Sequence, residues 1–291
     1  MSKLQKPANV ATDYLVFDMS NLLHKTFYIH QTDDFDMLTK LTFHSSLVTM
    51  NKYFKLYKPK KIVCVFDRPN WRKDYTKSDM CYTKHVYKGT RRLNMDDDQR
   101  ARYELFSEFV AAFEVMLRDF TSIYSLSRDG LEADDIIAGI AHIFAGHDSS
   151  PNSMSYSGSL KSTSDGSVVL VSADKDFIQL LRYPNLRLVD PATGKERDLS
   201  EWDHDHHLYL FEKSFTGDRG DNVASALPRL QKKKIKKAYT DEALFTDITQ
   251  TEWTDPDGDT RKVLPQYEEN RMLVDLTGQP DFVHQLIWDA I

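Results

Sequence analysis

The sequence is poor in cysteine, with only Cys64 and Cys81 among its 291 residues. Two thiols cannot form the disulfide framework of a small secreted protein. Cys64 lies within the apolar run IVCVF, where we expect a small buried side chain. A structural zinc site, which needs clustered Cys and His ligands, is also not expected.

Long apolar runs are missing as well. No stretch approaches the roughly 20 apolar residues that a membrane-spanning helix needs. The first residues, MSKLQKPANVATD, do not contain the apolar core of a secretory signal. We therefore expect a soluble, cytoplasmic protein without a membrane partner.

The net charge of −6 comes from 44 acidic and 38 basic residues, and taken alone it argues against a nucleic-acid partner. The bases, however, are concentrated in the segments WRKDYTK, KHVYKGTRR and RLQKKKIKK. Screening confines the field of each charge to roughly 10 Å, so an acidic protein can still present local positive surfaces.

Acidic residues follow a series of short apolar runs, at the points where predicted strands end. In parallel sheets such ends lie along one edge, so we expect these acids to converge there. Their mutual repulsion and desolvation would require divalent cations, and carboxylate oxygens suit Mg²⁺ or Mn²⁺. The predicted metal ligands are Asp18, Asp67, Glu132, Asp134, Asp135, Asp174, Asp176, Asp218 and Asp221.

Strands and helices are predicted to alternate along the first two thirds of the chain. Strands are expected at Tyr14–Phe17, Lys61–Phe66, Val168–Val171 and Leu186–Val189, and Asp36–Leu56 has a helical pattern. This alternation predicts an α/β fold with a mostly parallel central sheet and helices on both faces.

Three further segments complete the predicted organisation. Residues 68–100 are polar, basic and aromatic, which suggests a functional lid or arch. Residues 148–167 are rich in serine and are predicted to form a flexible surface insertion. We predict an α/β domain over residues 1–200 and a mainly helical region over residues 201–291.

Each acidic motif alone has an ordinary structural explanation. The acids of LEADD could simply stabilise the start of a helix, which is about as plausible as metal binding. In SADKD, however, a capping role explains Asp174 or Asp176 but not both. The motif GDRGDN adds Asp218 and Asp221, and the motifs together favour a metal site over capping.

Phosphodiester hydrolysis would explain so many acids, because two divalent ions about 3.5–4 Å apart can clamp a scissile phosphate. No Ser/Cys–His nucleophile arrangement is evident. A haloacid-dehalogenase-like phosphatase would carry a second Asp two positions after Asp18, where this sequence has Ser20.

The basic segments suit nucleic acid, since interleaved aromatic and basic residues bind single strands and lysine runs bind duplex phosphates. A solvated loop or the polar face of a helix would explain the same compositions. The predicted nucleic-acid contacts are Arg72, Lys73, Lys84, Tyr87, Lys88, Arg91, Arg92, Arg229, Lys232, Lys233, Lys234, Lys236 and Lys237.

The motifs VFDMSN, VFDRPNWRKDY, YKGTRR, LEADD, SADKDFIQLL and GDRGDNVAS occur in the order found in the flap-endonuclease (5′-nuclease) family, which the chain resembles. Within that family it is most similar to the phage ribonucleases H that remove replication primers. The resemblance implies a PIN-like nuclease fold with a basic helical arch and a C-terminal helix–turn–helix-type region that binds duplex.

The implied activity is 5′→3′ exonuclease and flap endonuclease action on DNA–DNA and RNA–DNA duplexes with 5′ ends, flaps or forks. Two Mg²⁺ ions are implied, with Mn²⁺ as a substitute. One group of ligands matches Asp18, Asp67, Glu132, Asp134 and Asp135, and the other matches Asp174, Asp176, Asp218 and Asp221. The implied catalytic residues are Lys88, Arg91, Asp67 and Asp176.

The chain departs from the family pattern at one point. Many relatives have a Gly-x-Gly hairpin after GDxxDN, where this chain has VASALPRLQKKK. Lysine side chains are therefore expected to replace glycine amides as phosphate contacts. A catalytically inactive DNA-binding protein and a small-molecule phosphoesterase remain the alternatives. We expect a monomer, and leave open a single-strand-binding protein or a clamp as partner.

Overall fold

Short β-branched segments form a central five-stranded sheet in the order β3-β2-β1-β4-β5, in a computed structural model that describes residues 12–30, 32–91, 93, 95–145, 166–256 and 258–291. All four neighbouring pairs are parallel, which confirms the predicted sheet. The strands are β1 (Tyr14–Asp18), β2 (Lys61–Val65), β3 (Tyr124–Leu126), β4 (Val168–Val171) and β5 (Leu186–Val189).

Helices cover both faces of this sheet, as predicted. Leu15 and Phe17 of β1 point to one face, where they pack in an apolar core with Tyr53 and Phe113. Val16 points to the opposite face because side chains alternate along a strand, and the helix Ala133–Phe144 contacts β1 and β2.

The helical pattern predicted at Asp36–Leu56 corresponds to the helix Phe35–Tyr57, whereas the helices after Asp18 and Asn70 were not predicted. No described helix is long and apolar enough to cross a membrane. The described α-helices are α1 (Met19–Ile29), α2 (Phe35–Tyr57), α3 (Trp71–Lys77), α4 (Asp97–Phe120), α5 (Ala133–Phe144), α6 (His206–Thr216), α7 (Lys232–Thr240), α8 (Glu242–Thr249), α9 (Val263–Val274) and α10 (Asp281–Ala290).

Two smaller features complete the description. After β4 the chain turns into the 3-10 helix Asp176–Arg182, and β6 (Glu252–Thr254) pairs antiparallel with β7 (Thr260–Lys262). Most of the predicted serine-rich insertion, residues 148–165, lies outside the described residues, as does Arg92.

The described chain forms two compact units. The sheet unit contains the described residues of Met1–Pro69, Met95–Asp198 and Phe282–Ile291. The helical unit contains those of Asn70–Asn94 and Leu199–Asp281. The predicted division into domains at residue 200 stays a prediction, and these compact units follow different boundaries.

Packing explains why α10 belongs to the sheet unit. Gly139 of α5 lies so close to α10 that a Cβ atom there would meet Ile287 Cγ2 at 2.2 Å. Ile287 itself is completely buried. The last helix is therefore part of the layer that covers one face of the sheet.

The described residues of Asn70–Asn94, which we call the basic segment, fold onto the C-terminal helices of the helical unit. Arg72 is 1% exposed, and its Nε donates to the carbonyl oxygen of Leu273 in α9 at 2.8 Å. Tyr87 is buried in an apolar cluster with Tyr209 and Leu273. Helix α3 is the only α-helix in the described part of this segment.

Candidate metal centre and basic surface

Asp18 is a buried carboxylate at the end of β1. It caps α1 by accepting a hydrogen bond from the Asn21 amide at 3.1 Å, and Ser172 Oγ donates to its Oδ2 at 2.7 Å. Burial, together with the negative charges of Asp67 and Asp174, raises the pKa of Asp18 to about 7. The site therefore penalises the charged form of Asp18 strongly.

Asp67 occupies the equivalent position just after β2. Its amide donates to Ser20 Oγ at 3.2 Å, and its Oδ1 accepts from the Ala133 amide at 2.7 Å. That amide belongs to the first turn of α5, where the helix dipole favours a negative charge. Asp67 is exposed, so its second oxygen lies at a surface that solvent and ligands can reach.

The LEADD acids lie at the start of α5. Glu132 is 4% exposed and Asp135 is completely buried, whereas Asp134 is half-buried. The Glu132 amide donates to Asp135 Oδ2 at 3.0 Å, which closes the first turn. The Glu132 side chain in turn accepts from the backbone N–H of Asp135, so these two acids form a capping box and capping accounts for both.

The acids after β4 are ordered by local hydrogen bonds. The Asp174 amide donates to Ser172 Oγ at 3.0 Å, and the Asp176 amide donates to Asp174 Oδ1 at 2.8 Å. Ala173 is tied to α1, because its amide donates to Asn21 Oδ1 at 3.3 Å. Asp174 and Asp176 are both half-buried.

The sheet unit thus places seven of the nine predicted ligands at the ends of β1, β2 and β4 and at the start of α5. Burial and like charges oppose ionisation of Asp18, and the positive charge of a bound divalent cation would offset both effects. Since the donors are carboxylates, they fit Mg²⁺ or Mn²⁺ better than a soft metal.

The remaining predicted ligands, Asp218 and Asp221, lie in a tight loop of the helical unit. Gly217 begins it with a φ of +68°, and a Cβ there would meet the Val223 carbonyl oxygen at 2.3 Å. The Asp218 amide donates to that carbonyl at 2.9 Å, and the Val223 amide returns a 2.8 Å bond to Asp218. Glycine is therefore required for this loop to close.

Asp218 is held in its charged form by neighbouring donors. Its Oδ1 accepts from the amides of Gly220 at 2.7 Å and Asp221 at 3.2 Å, and its Oδ2 lies 3.0 Å from Lys213 Nζ. Burial alone would raise the pKa of Asp218, but the Lys213 charge and these hydrogen bonds hold it below its usual value.

Asp221 contacts the predicted phosphate-binding side chains of the basic segment. It accepts from the Tyr87 hydroxyl at 2.7 Å and from Arg91 Nη2 at 2.5 Å, and Lys88 Nζ lies 4.0 Å away. The Lys88 amide also donates to the Asp221 carbonyl at 2.8 Å. The structure thus brings one predicted metal ligand together with three predicted nucleic-acid contacts.

The other predicted nucleic-acid contacts differ in their exposure. Arg72 is buried against Trp71 and Tyr87, so we assign it to the interior of the helical unit rather than to a binding surface. Lys73 is half-buried. The exposed members are Lys84, Arg91, Arg229, Lys232, Lys233, Lys234 and Lys237.

Lys236 differs from its neighbours on α7. Its Nζ lies 3.8 Å from Asp203 Oδ2 and 3.9 Å from Glu212 Oε1. Position 236 is half-buried, whereas Lys233 and Lys237 are exposed to solvent. The Lys236 charge therefore lies near acids of its own unit.

Three residues that orient the predicted ligands were missed by sequence reasoning. Asn21 and Ser172 bind or support Asp18, and Lys213 pairs with Asp218. A polar residue at a strand end could have indicated Ser172. Nothing in the local pattern distinguishes Lys213 from an ordinary surface lysine of α6.

A family model described as the N-terminal resolvase-like domain of 5′-3′ exonucleases matches residues 13–208. No curated protein sequence matches the chain. A structure of the bacteriophage T5 5′-exonuclease with bound zinc ions is similar, with a TM-score of 0.64 and 17% identity over 96% of this chain and 98% of that one.

Two further bacteriophage T5 structures are similar. One protein, co-crystallised with metal ions, has a TM-score of 0.65 and 16% identity over 96% of this chain and 98% of that one. The other is a flap endonuclease in a pseudo-enzyme-product complex with DNA and metal ions. It has a TM-score of 0.61 and 16% identity, over 96% of this chain and 97% of that one. At these identities the likeness establishes the fold.

Proposed function

Because this chain belongs to the 5′-3′ exonuclease family, we propose that it is a metal-dependent nuclease that hydrolyses phosphodiesters at 5′ ends and flaps of DNA–DNA and RNA–DNA duplexes. The observation that carries the proposal is the row of carboxylates at the ends of three neighbouring parallel strands, with Asp18 buried among them. A charged group is costly to bury without a partner, so this arrangement is best explained by a cation.

In this proposal, Asp18, Asp67, Glu132, Asp134 and Asp135 hold one Mg²⁺ ion. Asp174, Asp176, Asp218 and Asp221 hold a second one, and Mn²⁺ can replace either. The bound ions would supply a water of lowered pKa and would stabilise the leaving oxygen.

The chain's own side chains orient the ligands and the substrate. Ser172 and Asn21 fix the rotamer of Asp18, and the Ala133 amide fixes that of Asp67. We assign Lys88 and Arg91 to the scissile phosphate, where positive charge stabilises the charge that develops in the transition state.

The exposed lysines of α7 and Arg229 are proposed to contact the phosphates of the duplex. Such contacts position a protein on nucleic acid without reading its sequence. A structurally similar bacteriophage T5 flap endonuclease was crystallised with DNA and metal ions, which supports DNA as the partner of this chain.

We further propose that the biological substrate is the RNA primer of phage DNA replication and that the enzyme acts as a monomer in the host cytoplasm. A single-strand-binding protein or a clamp would be its partner at the replication fork. The resemblance of the motif series to primer-removing nucleases supports this narrower proposal.

Cleavage of labelled 5′-flap and RNA-primed duplexes with Mg²⁺ or with EDTA tests the proposal. We expect cleavage in Mg²⁺ alone, with Asp67→Asn and Asp176→Asn each slowing it by two orders of magnitude or more, because a ligand charge is lost. Asp119→Asn, which changes an exposed carboxylate on α4, is the matched control.

Binding of the same duplexes by the variants separates chemistry from recognition. Both Asn variants should bind duplex with an affinity close to that of the unchanged protein. Equal cleavage in Mg²⁺ and EDTA would refute metal dependence, and normal turnover by both variants would refute the ligand assignments.

A further inference from the structure

Glu269 is a buried acid on α9 that has no part in the proposed metal centre. It is 6% exposed, and all its hydrogen-bond donors in the described structure belong to the basic segment. Its Oε1 accepts from the Tyr82 amide at 2.6 Å and from the Tyr75 hydroxyl at 3.0 Å. Its Oε2 accepts from the Thr83 amide at 3.0 Å. Hydrogen bonds to a carboxylate are stronger than those between neutral groups, so these three bonds hold the basic segment tightly against α9.

Tyr82 is held at two further points. Its carbonyl accepts from Arg261 Nη1 at 3.3 Å, and its hydroxyl accepts from the Lys262 amide at 2.7 Å. The amide, the carbonyl and the hydroxyl of one residue are thus each bound by a different residue of the helical unit. Tyr82 and Thr83 form a fixed point from which the chain continues toward Lys88.

A second fixed point lies at Val86–Lys88. Asn222 Nδ2 donates to the Val86 carbonyl at 2.9 Å, and the Lys88 amide donates to the Asp221 carbonyl at 2.8 Å. Lys88 itself has a φ of +54°, a conformation that is costly for a residue with a side chain and that its surroundings must enforce. Only Lys84 and His85, both exposed, lie between Thr83 and Val86.

We propose that Glu269 is a positioning residue that fixes the location of the Lys88 and Arg91 charges by holding the basic segment at Tyr82 and Thr83. This inference rests on the proposed function in one respect, namely that Lys88 and Arg91 act on a phosphate of the substrate. A misplacement of a catalytic group by about 1 Å can cost on the order of 100-fold in rate, so the anchor matters even though Glu269 touches no substrate.

The variant Glu269→Gln is informative because it is isosteric and removes one acceptor. The amide nitrogen of glutamine would face one backbone N–H, which leaves that buried donor without a partner. Asp275→Asn is the matched control. Asp275 is a buried acid of the same unit, and it accepts backbone bonds from Thr277 and Gly278 rather than from the basic segment.

Hydrogen–deuterium exchange on the full chain tests the anchor without relying on activity. We expect Glu269→Gln to speed amide exchange across residues 82–91 about tenfold or more, while Asp275→Asn leaves these residues unchanged. Unchanged exchange at residues 82–91 in folded Glu269→Gln would overturn the proposal. If that variant does not fold, Tyr82→Phe, which removes only the bond from Lys262, should show the same effect on a smaller scale.

A double-mutant cycle in single-turnover flap cleavage tests positioning against simple stabilisation. Glu269→Gln should slow cleavage about tenfold with little change in duplex affinity, and should add less than about twofold in a Lys88→Ala/Arg91→Ala background. Fully additive rate losses would overturn the proposal. If the unchanged protein does not cleave, the proposed function fails, and the exchange measurement still decides whether Glu269 anchors the segment.

Discussion

At the scale of single residues, the acids that end the strands differ widely in environment. Asp18 is almost completely buried, whereas Asp67, which follows the neighbouring strand, is exposed. In the helical unit, Lys213 stabilises the charge of Asp218, while Arg91 pairs with Asp221. Residues of one type in similar sequence positions therefore have different electrostatic properties.

The raised pKa of Asp18 gives a prediction for the pH dependence of stability. Its folded-state pKa of about 7 lies above its ordinary value of 3.8, so the folded protein binds this proton more tightly than the unfolded chain does. Without metal, Asp18 should therefore lower the free energy of unfolding progressively as the pH rises from about 4 to 7.

The variant Asp18→Asn lacks this titration. In EDTA, its melting temperature relative to that of the unchanged protein should increase between pH 4 and pH 7 and level off above that range. Thermal melts across this pH range provide the measurement. A difference in melting temperature that does not depend on pH would contradict the raised pKa.

At the scale of elements, α7 shows how a run of like charges is divided by packing. Ile235 and Ala238 are buried, so the helix must turn one side inward. Lys236 is placed on the side that meets Asp203 and Glu212, while Lys232, Lys233, Lys234 and Lys237 face solvent.

This division predicts different salt effects for neighbouring lysines. Each phosphate contact contributes about 0.9 to the slope of log affinity against log salt concentration. Lys233→Ala should therefore lower the magnitude of the slope by about one if it contacts a phosphate, whereas Lys236→Ala should leave it unchanged. Duplex binding measured between about 50 and 200 mM salt gives both slopes, and equal losses in the two variants would contradict the assignment.

At the scale of the whole molecule, metal binding should couple to folding. An ion that binds only the folded state stabilises it. The free energy of unfolding rises by about 2.7 kcal/mol when the free ion concentration is 100 times the dissociation constant. Mg²⁺ should therefore raise the melting temperature by several degrees.

The doubly substituted protein Asp67→Asn/Asp176→Asn tests the source of that stabilisation. It should show little of the rise in melting temperature caused by Mg²⁺, measured by calorimetry at constant ionic strength with NaCl as reference. The same rise in both proteins would place the stabilising ions elsewhere.

Much of the fold could be predicted because its signals are local. An apolar run of four or five residues followed by Asp18 or Asp67 indicates a buried strand that ends in an acid. Parallel pairing then brings such ends to one edge of the sheet. The helix after Asp18 was missed because its pattern resembles the end of a strand and a loop, although the Asp18 cap starts it.

The acids at strand ends and the clustered bases could be read directly from the chain, since both patterns depend only on neighbours along the sequence. Which of those groups are buried, paired or exposed depends instead on the folded arrangement of the chain. Buried Arg72 donates to the Leu273 carbonyl, and Glu269 accepts from the Tyr82 amide 187 residues away in the sequence. Such contacts depend on side-chain packing between distant elements, which no local pattern of residues specifies.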